Sequence, residues 1–110
     1  MSFSFDEVGG VTVVQVDGEL IVGNRGDLKQ GVLERLSEGA RKFVVDFSQS
    51  TYIDSSGLGV LVSLSKKIRE ADGALRLAGL NEDLRTLFEL TKLDTLFHIA
   101  DSREAALKGL

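Results

Sequence analysis

The sequence predicts an α/β fold: a mixed β-sheet of about four to five strands with about four helices, opening on an N-terminal β-hairpin. Three observations lead there. The β-branched run VTVVQV (11–16) follows Gly9-Gly10, a pair suited to a two-residue hairpin turn, so residues 3 to 7 should lie antiparallel to it. Short aliphatic runs, FVVDF (43–47) and ALRLA (74–78), then alternate with segments of helical periodicity, the pattern of strands joined by crossover helices. The chain has 110 residues, 43% hydrophobic and 27% charged, which suits one domain over residues 1–110.

Each element has a local reason. Asp17-Gly18 reads as a second turn, and Glu19 to Val22 as a third short strand. Asn24 can cap a helix that turns Leu28, Val32, Leu33 and Leu36 inward, and Gly39 stands where a left-handed C-terminal cap is expected. After the FVVDF strand, Leu58, Leu61, Val62, Ser65 and Ile68 mark the inward face of a helix ending near Ala71-Asp72-Gly73. ALRLA forms the next strand. Asn81 caps a helix with Leu84, Leu87 and Phe88 inward, and TLFHI (95–99) makes a last edge strand. Asp101 and Glu104 have the spacing of a capping box for a C-terminal helix.

Composition removes several functions. A net charge of −4 and a pI near 4.9 give no broad surface for nucleic acid or anionic lipid. No apolar run is long enough to span a bilayer, and the opening MSFSFDEVGG lacks the features of a secretory signal, so a cytoplasmic location is expected. Without cysteine there is no disulfide framework or thiolate zinc site.

The motifs narrow the field further. Gly57-Leu58-Gly59 begins like a dinucleotide fingerprint, but Val62 occupies the place of its third glycine, and no G-x-x-x-x-G-K-[ST] loop occurs. A G-x-S-x-G elbow around Ser55 would need glycine where Ile53 stands. The single histidine, His98, falls in a strand between Phe97 and Ile99 and is expected to be exposed or partly covered. Arg25-Gly26-Asp27 falls in the first turn of a helix, where Asp27 complements the dipole. No enzyme activity, metal or cofactor is expected.

What remains is YIDSSGLG (52–59), an acid and two hydroxyls ahead of a helix. One of Asp54, Ser55 and Ser56 suffices as a cap, which leaves hydroxyls to spare beside solvent. A phosphate there would lie among free amides at the positive end of the helix dipole and would bring roughly two negative charges to whatever docks over it. The residues alone leave cap and switch both open.

The stretch VVDFSQSTYIDSSGLGVLVSLSKKIREADGALRLAGL, with VDGEL before it and LFELTKLDTLFHIADSREAAL after, resembles the STAS domain of bacterial anti-sigma factor antagonists. The resemblance spans nearly the whole chain, and D-S-S-G-L-G is its most specific part. It implies a protein that binds an anti-sigma factor with serine kinase activity and so releases a sigma factor. Phosphorylation of Ser55, the serine after the aspartate, would switch binding off, and a metal-dependent serine phosphatase would reset it. Asp54, Ser55, Ser56, Gly57, Leu58 and Gly59 would form the contact region, with ATP and Mg²⁺ belonging to the partner enzymes. A monomer or weak dimer is expected. The family often reads G-E-L-D where this chain reads Gly18-Glu19-Leu20-Ile21. An aliphatic residue thus replaces an acid near the partner surface, and Glu19 should point to the other side of the strand from Ile21. Two other readings stand beside the first: a STAS scaffold subunit of a sensory or lipid-transport complex, and a small-ligand or nucleotide-binding module built on the Gly57-Gly59 turn.

Overall fold

The computed structural model describes residues 2–110. Its elements run β1 (Phe3–Val8), β2 (Val11–Leu20), α1 (Arg25–Ser37), β3 (Lys42–Ile53), α2 (Ser55–Glu70), β4 (Ala74–Ala78), α3 (Glu82–Leu90), β5 (His98–Ala100) and α4 (Arg103–Leu107), with a 3₁₀ turn at Leu93–Thr95. The five strands form one sheet in sequence order. β1 and β2 are antiparallel, joined by Gly9 and Gly10 at positive φ with Val8 opposite Val11, and β2 through β5 are parallel. The mixed sheet with its opening hairpin and four helices is as the sequence predicts.

Side chains alternate across the sheet, so each strand feeds two cores. Val14, Val16, Leu20, Phe43, Val45, Phe47 and Leu77 meet Leu28, Val32, Leu61, Leu64, Ile68, Leu84 and Phe88, which places α1, α2 and α3 on one face. The other face carries a smaller cluster of Val11, Val13, Val44, Ala78 and Ala100 under Ala106 of α4. α4 has only five helical residues, and polar contacts seat it. Arg103 Nε donates to the buried carboxylate of Asp46 at 2.9 Å, and its Nη2 donates to Gln15 Oε1 at 2.9 Å.

Several local expectations need correction. Asp17-Gly18 is no turn: β2 continues through it to Leu20, and Gly18, at φ +78, lies between two register shifts against β3. An Asp-Gly pair supplies the left-handed glycine of a bulge as readily as that of a hairpin. Glu19 and Leu20 therefore belong to β2 rather than to a third strand, and Ile21 and Val22 lie beyond it. Asn24 precedes α1 without capping it by its side chain; instead it accepts from Ile21 N at 2.9 Å and donates to Glu19 O at 2.7 Å, tying off the loop. β3 runs on to Ile53 because residues 49–53 still pair with β2. On α2, Val60 and Leu64 are buried while Val62 is exposed and Ser65 half-buried. The last strand is shorter than TLFHI and shifted to His98–Ala100, since Leu93–Thr95 curl into the 3₁₀ turn. α4 is capped by Ser102, which accepts from Ala105 N at 3.1 Å, whereas Asp101 pairs with Arg85. His98 is exposed on β5, as expected.

Candidate functional site

The longest parallel strand ends at Ile53, and α2 begins two residues later. Asp54 turns that corner in extended conformation (φ −89, ψ 177), and its own N–H donates to Leu20 O at 3.1 Å, which ties the corner to the end of β2. Its carboxylate then gathers three donors. Oδ1 accepts from Gly57 N at 2.8 Å and from the Ser56 hydroxyl at 2.6 Å, and Oδ2 accepts from Val22 N at 3.0 Å. Hydrogen bonds that favour the charged form hold the carboxyl below its ordinary value of 3.8, the Ser56 hydroxyl contributing most and the Gly57 amide next.

The two serines are not equivalent. Ser56 is half-buried and spends its proton on Asp54. Ser55 is exposed, and no hydrogen bond engages its hydroxyl among the described residues. It is the first residue of α2, a helix with no acid in its first turn. Amides not yet paired within the helix and the positive dipole end face the same solvent.

The glycines also divide. Gly57 is buried, and a Cβ there would stand 2.6 Å from Leu20 O and 2.9 Å from Leu20 Cγ, so the helix rests its backbone directly on β2. Leu58 is buried in the core behind it. Gly59 is exposed, and a Cβ there would meet nothing within 4 Å.

The structure brings Asp54 through Gly59 together with the loop containing Ile21. Ile21 is half-buried and lies past the end of β2. Setting it on the side opposite Glu19 needs correction, because residues two apart share one face of a strand and β2 has ended before Ile21. Its neighbour Val22 is the residue sequence reasoning missed. The valine side chain is 66% exposed while its amide is bound to Asp54 across 32 residues of chain. A lone valine before a glycine carries no motif, and only the fold places it beside the serines. The described residues hold no cluster of metal-ligating side chains, and no helix is long and apolar enough to cross a membrane.

A five-stranded sheet with this order and a D-S-S-G-L-G corner defines a class, and the comparison with protein families agrees. The family model described as the STAS domain matches residues 2–106, and the chain belongs to that family. Among its relatives is the anti-sigma-B factor antagonist of Staphylococcus aureus, 32% identical over 91 residues that span 83% of this chain and 84% of the relative. An anti-sigma factor antagonist from Mycobacterium paratuberculosis superposes with a TM-score of 0.86 at 25% identity, covering 96% of this chain and 89% of the other. SpoIIAA, a cell fate determinant of Bacillus solved in its phosphorylated form, gives a TM-score of 0.74 over 94% of this chain and 95% of its own. At 21% identity that likeness speaks to the fold.

Proposed function

We propose that the chain is an anti-sigma factor antagonist, a phosphorylation-controlled binding protein of the cytoplasm and not an enzyme. Its unmodified form binds an anti-sigma factor with serine kinase activity and so frees a sigma factor. Phosphorylation of Ser55 ends the binding, and a serine phosphatase restores it. Asp54, Ser55, Ser56, Gly59 and Ile21 belong to the surface the partner covers, and Gly57 and Leu58, buried beneath it, hold that corner in place. The names of the relatives support an anti-sigma factor as the partner.

The observation that carries the residue assignment is the difference between the hydroxyls. Ser55 is exposed and unengaged in a first helical turn that holds no acid beyond the Asp54 cap, whereas Ser56 is bound to Asp54. A phosphate on Ser55 is compatible with the fold because α2 offers it amides and a favourable dipole. Binding is lost because the added charge sits next to Asp54 and would have to be desolvated in the complex.

The test begins with a pull-down of the partner from the native cytoplasm using unmodified protein. The purified partner and Mg-ATP are then incubated with the antagonist, and the product is mapped by peptide mass spectrometry. Phosphate is expected on Ser55. Ser55→Ala should bind at near wild-type strength and resist modification, and Ser55→Asp should fold but bind weakly. Phosphate on Ser56 alone, or indifference of binding to Ser55→Asp, contradicts the assignment.

A further inference from the structure

α2 exposes a stripe that begins at Ser55 and continues through Gly59, Val62 and Lys66, spaced four, three and four residues apart and so aligned along one side of the helix. Gly59 on that stripe has no reason within the chain. Its φ is not in the left-handed region, and a Cβ there would meet open space. Alanine would serve the helix better, since glycine in a helix interior loses more backbone entropy than any other residue. Gly57, two residues earlier, does have an internal reason in the carbonyl of Leu20. A glycine the fold does not need leaves room for something outside to approach the backbone closely.

Beyond Gly59 the surface becomes apolar and then basic. Val62 is 36% exposed and Leu96 39%, and with Lys66, Arg69 and Glu70 they line a shallow hollow of about 450 Å³. Two cations and one acid border it, in a chain whose net charge is −4.

We propose that this stripe of α2 seats a helical segment of the anti-sigma partner. That segment crosses closest at Gly59, sets an apolar ridge into the hollow between Val62 and Leu96, and brings acidic side chains to Lys66 and Arg69. The inference rests on the reading of the chain as an anti-sigma factor antagonist. It extends the docking surface from the Ser55 corner down the helix and gives the partner's contacting segment an amphipathic, acidic character.

The test uses anti-sigma factors from the same genome, purified and titrated calorimetrically against wild type, Gly59→Ala, Val62→Glu, the pair Lys66→Glu/Arg69→Glu, and Ser55→Asp. Gly59→Ala should raise the Tm by about 2–5 °C and yet weaken binding by about tenfold or more. Val62→Glu should weaken binding at least as much, with its fold checked by circular dichroism. The double charge reversal should slow association and flatten its dependence on salt. Binding by Gly59→Ala and the charge-reversed pair within about twofold of wild type, alongside weak binding by Ser55→Asp, overturns the α2 seat and leaves the switch reading standing. If wild type binds none of the anti-sigma factors, both fall. A wild-type dimer in sedimentation that Gly59→Ala dissociates would make the stripe a contact between copies of this chain and also overturn the inference.

Discussion

Two helices, α2 and α3, start just beyond the ends of adjacent parallel strands, and their first turns are built differently. Both have an extended cap residue whose oxygen accepts from the amide three positions on, Asp54 from Gly57 and Asn81 from Leu84, each at 2.8 Å. Both caps also reach back to the sheet side: Asp54 accepts from Val22 N, and Asn81 Nδ2 donates to Ser50 O at 3.4 Å. There the likeness ends. α3 answers its own dipole with Glu82 and Asp83, while α2 has Ser55 and Ser56 in those places. At the third position α3 inserts the buried side chain of Leu84, and α2 has Gly57 pressed against Leu20. α3 is thus complete in itself. α2 is rigidly seated by its glycine and acid but leaves its dipole end open to a further negative charge, which is what a modifiable serine there requires.

The largest expected effect breaks the seat of α2. Gly57→Ala would set a methyl 2.6 Å from a backbone carbonyl that cannot swing aside. The helix start must lift off β2, at a cost of about 1–3 kcal/mol as for overpacked core sites. Urea unfolding measures it, and the gain in helix propensity is too small to offset such a clash. A variant as stable as wild type would mean that α2 does not rest on Leu20 in this way.

A smaller effect is expected at the other helix. Asn81→Ala removes the acceptor of Leu84 N and the link to Ser50 O, and should lower stability by about 1 kcal/mol, the usual loss for a capping side chain. The same unfolding curves test it, and partner binding should be untouched. A binding defect with intact stability would bring the start of α3 into the docking surface and erase the functional contrast between the helices.

How much of this contrast could be read from the chain depends on distance along it. The Asn81 cap and the hairpin at Gly9-Gly10 are local devices, and residue type and spacing place them, whereas for α2 they narrow the cap only to Asp54, Ser55 or Ser56. The partner of Gly57 is Leu20, 37 positions earlier, and the partner of Asp54 is Val22. Neither is visible until β2 and β3 lie side by side. The bulge at Gly18 shows the other failure, because the same dipeptide chemistry serves a hairpin and a bulge, and only pairing with β3 decides between them. On α2 the helical period is right but the stripe slips: the pattern predicts Val62 on the inward face, whereas Leu64 takes that place. Leucines and valines crowd this helix on several sides, so periodicity alone leaves its phase open.

The smallest effect separates the two caps by charge. Three donors, led by the Ser56 hydroxyl and the Gly57 amide, favour ionised Asp54 and hold its pKa below 3.8 in the folded protein. Below 3.8 the unfolded chain takes up the proton first, so the unfolded state binds more protons and stability rises with pH across that window. The contribution of Asp54 is therefore complete above 3.8 and is lost as pH falls through the lowered native value. Asn81 has nothing to titrate and caps α3 equally at every pH. Asp54→Asn is the matching reference: it keeps one oxygen for Gly57 N, and it removes the charge and the acceptor of Val22 N. Unfolding midpoints of wild type and Asp54→Asn, taken at constant ionic strength from neutral pH downward, should differ most near neutrality and converge in acid below 3.8. The other carboxylates titrate in both proteins and cancel in the difference. Because the site is open to solvent, added salt should narrow the gap. A gap that stays constant down to the lowest pH would mean that the acid at the start of α2 acts by shape alone, as the amide at the start of α3 does.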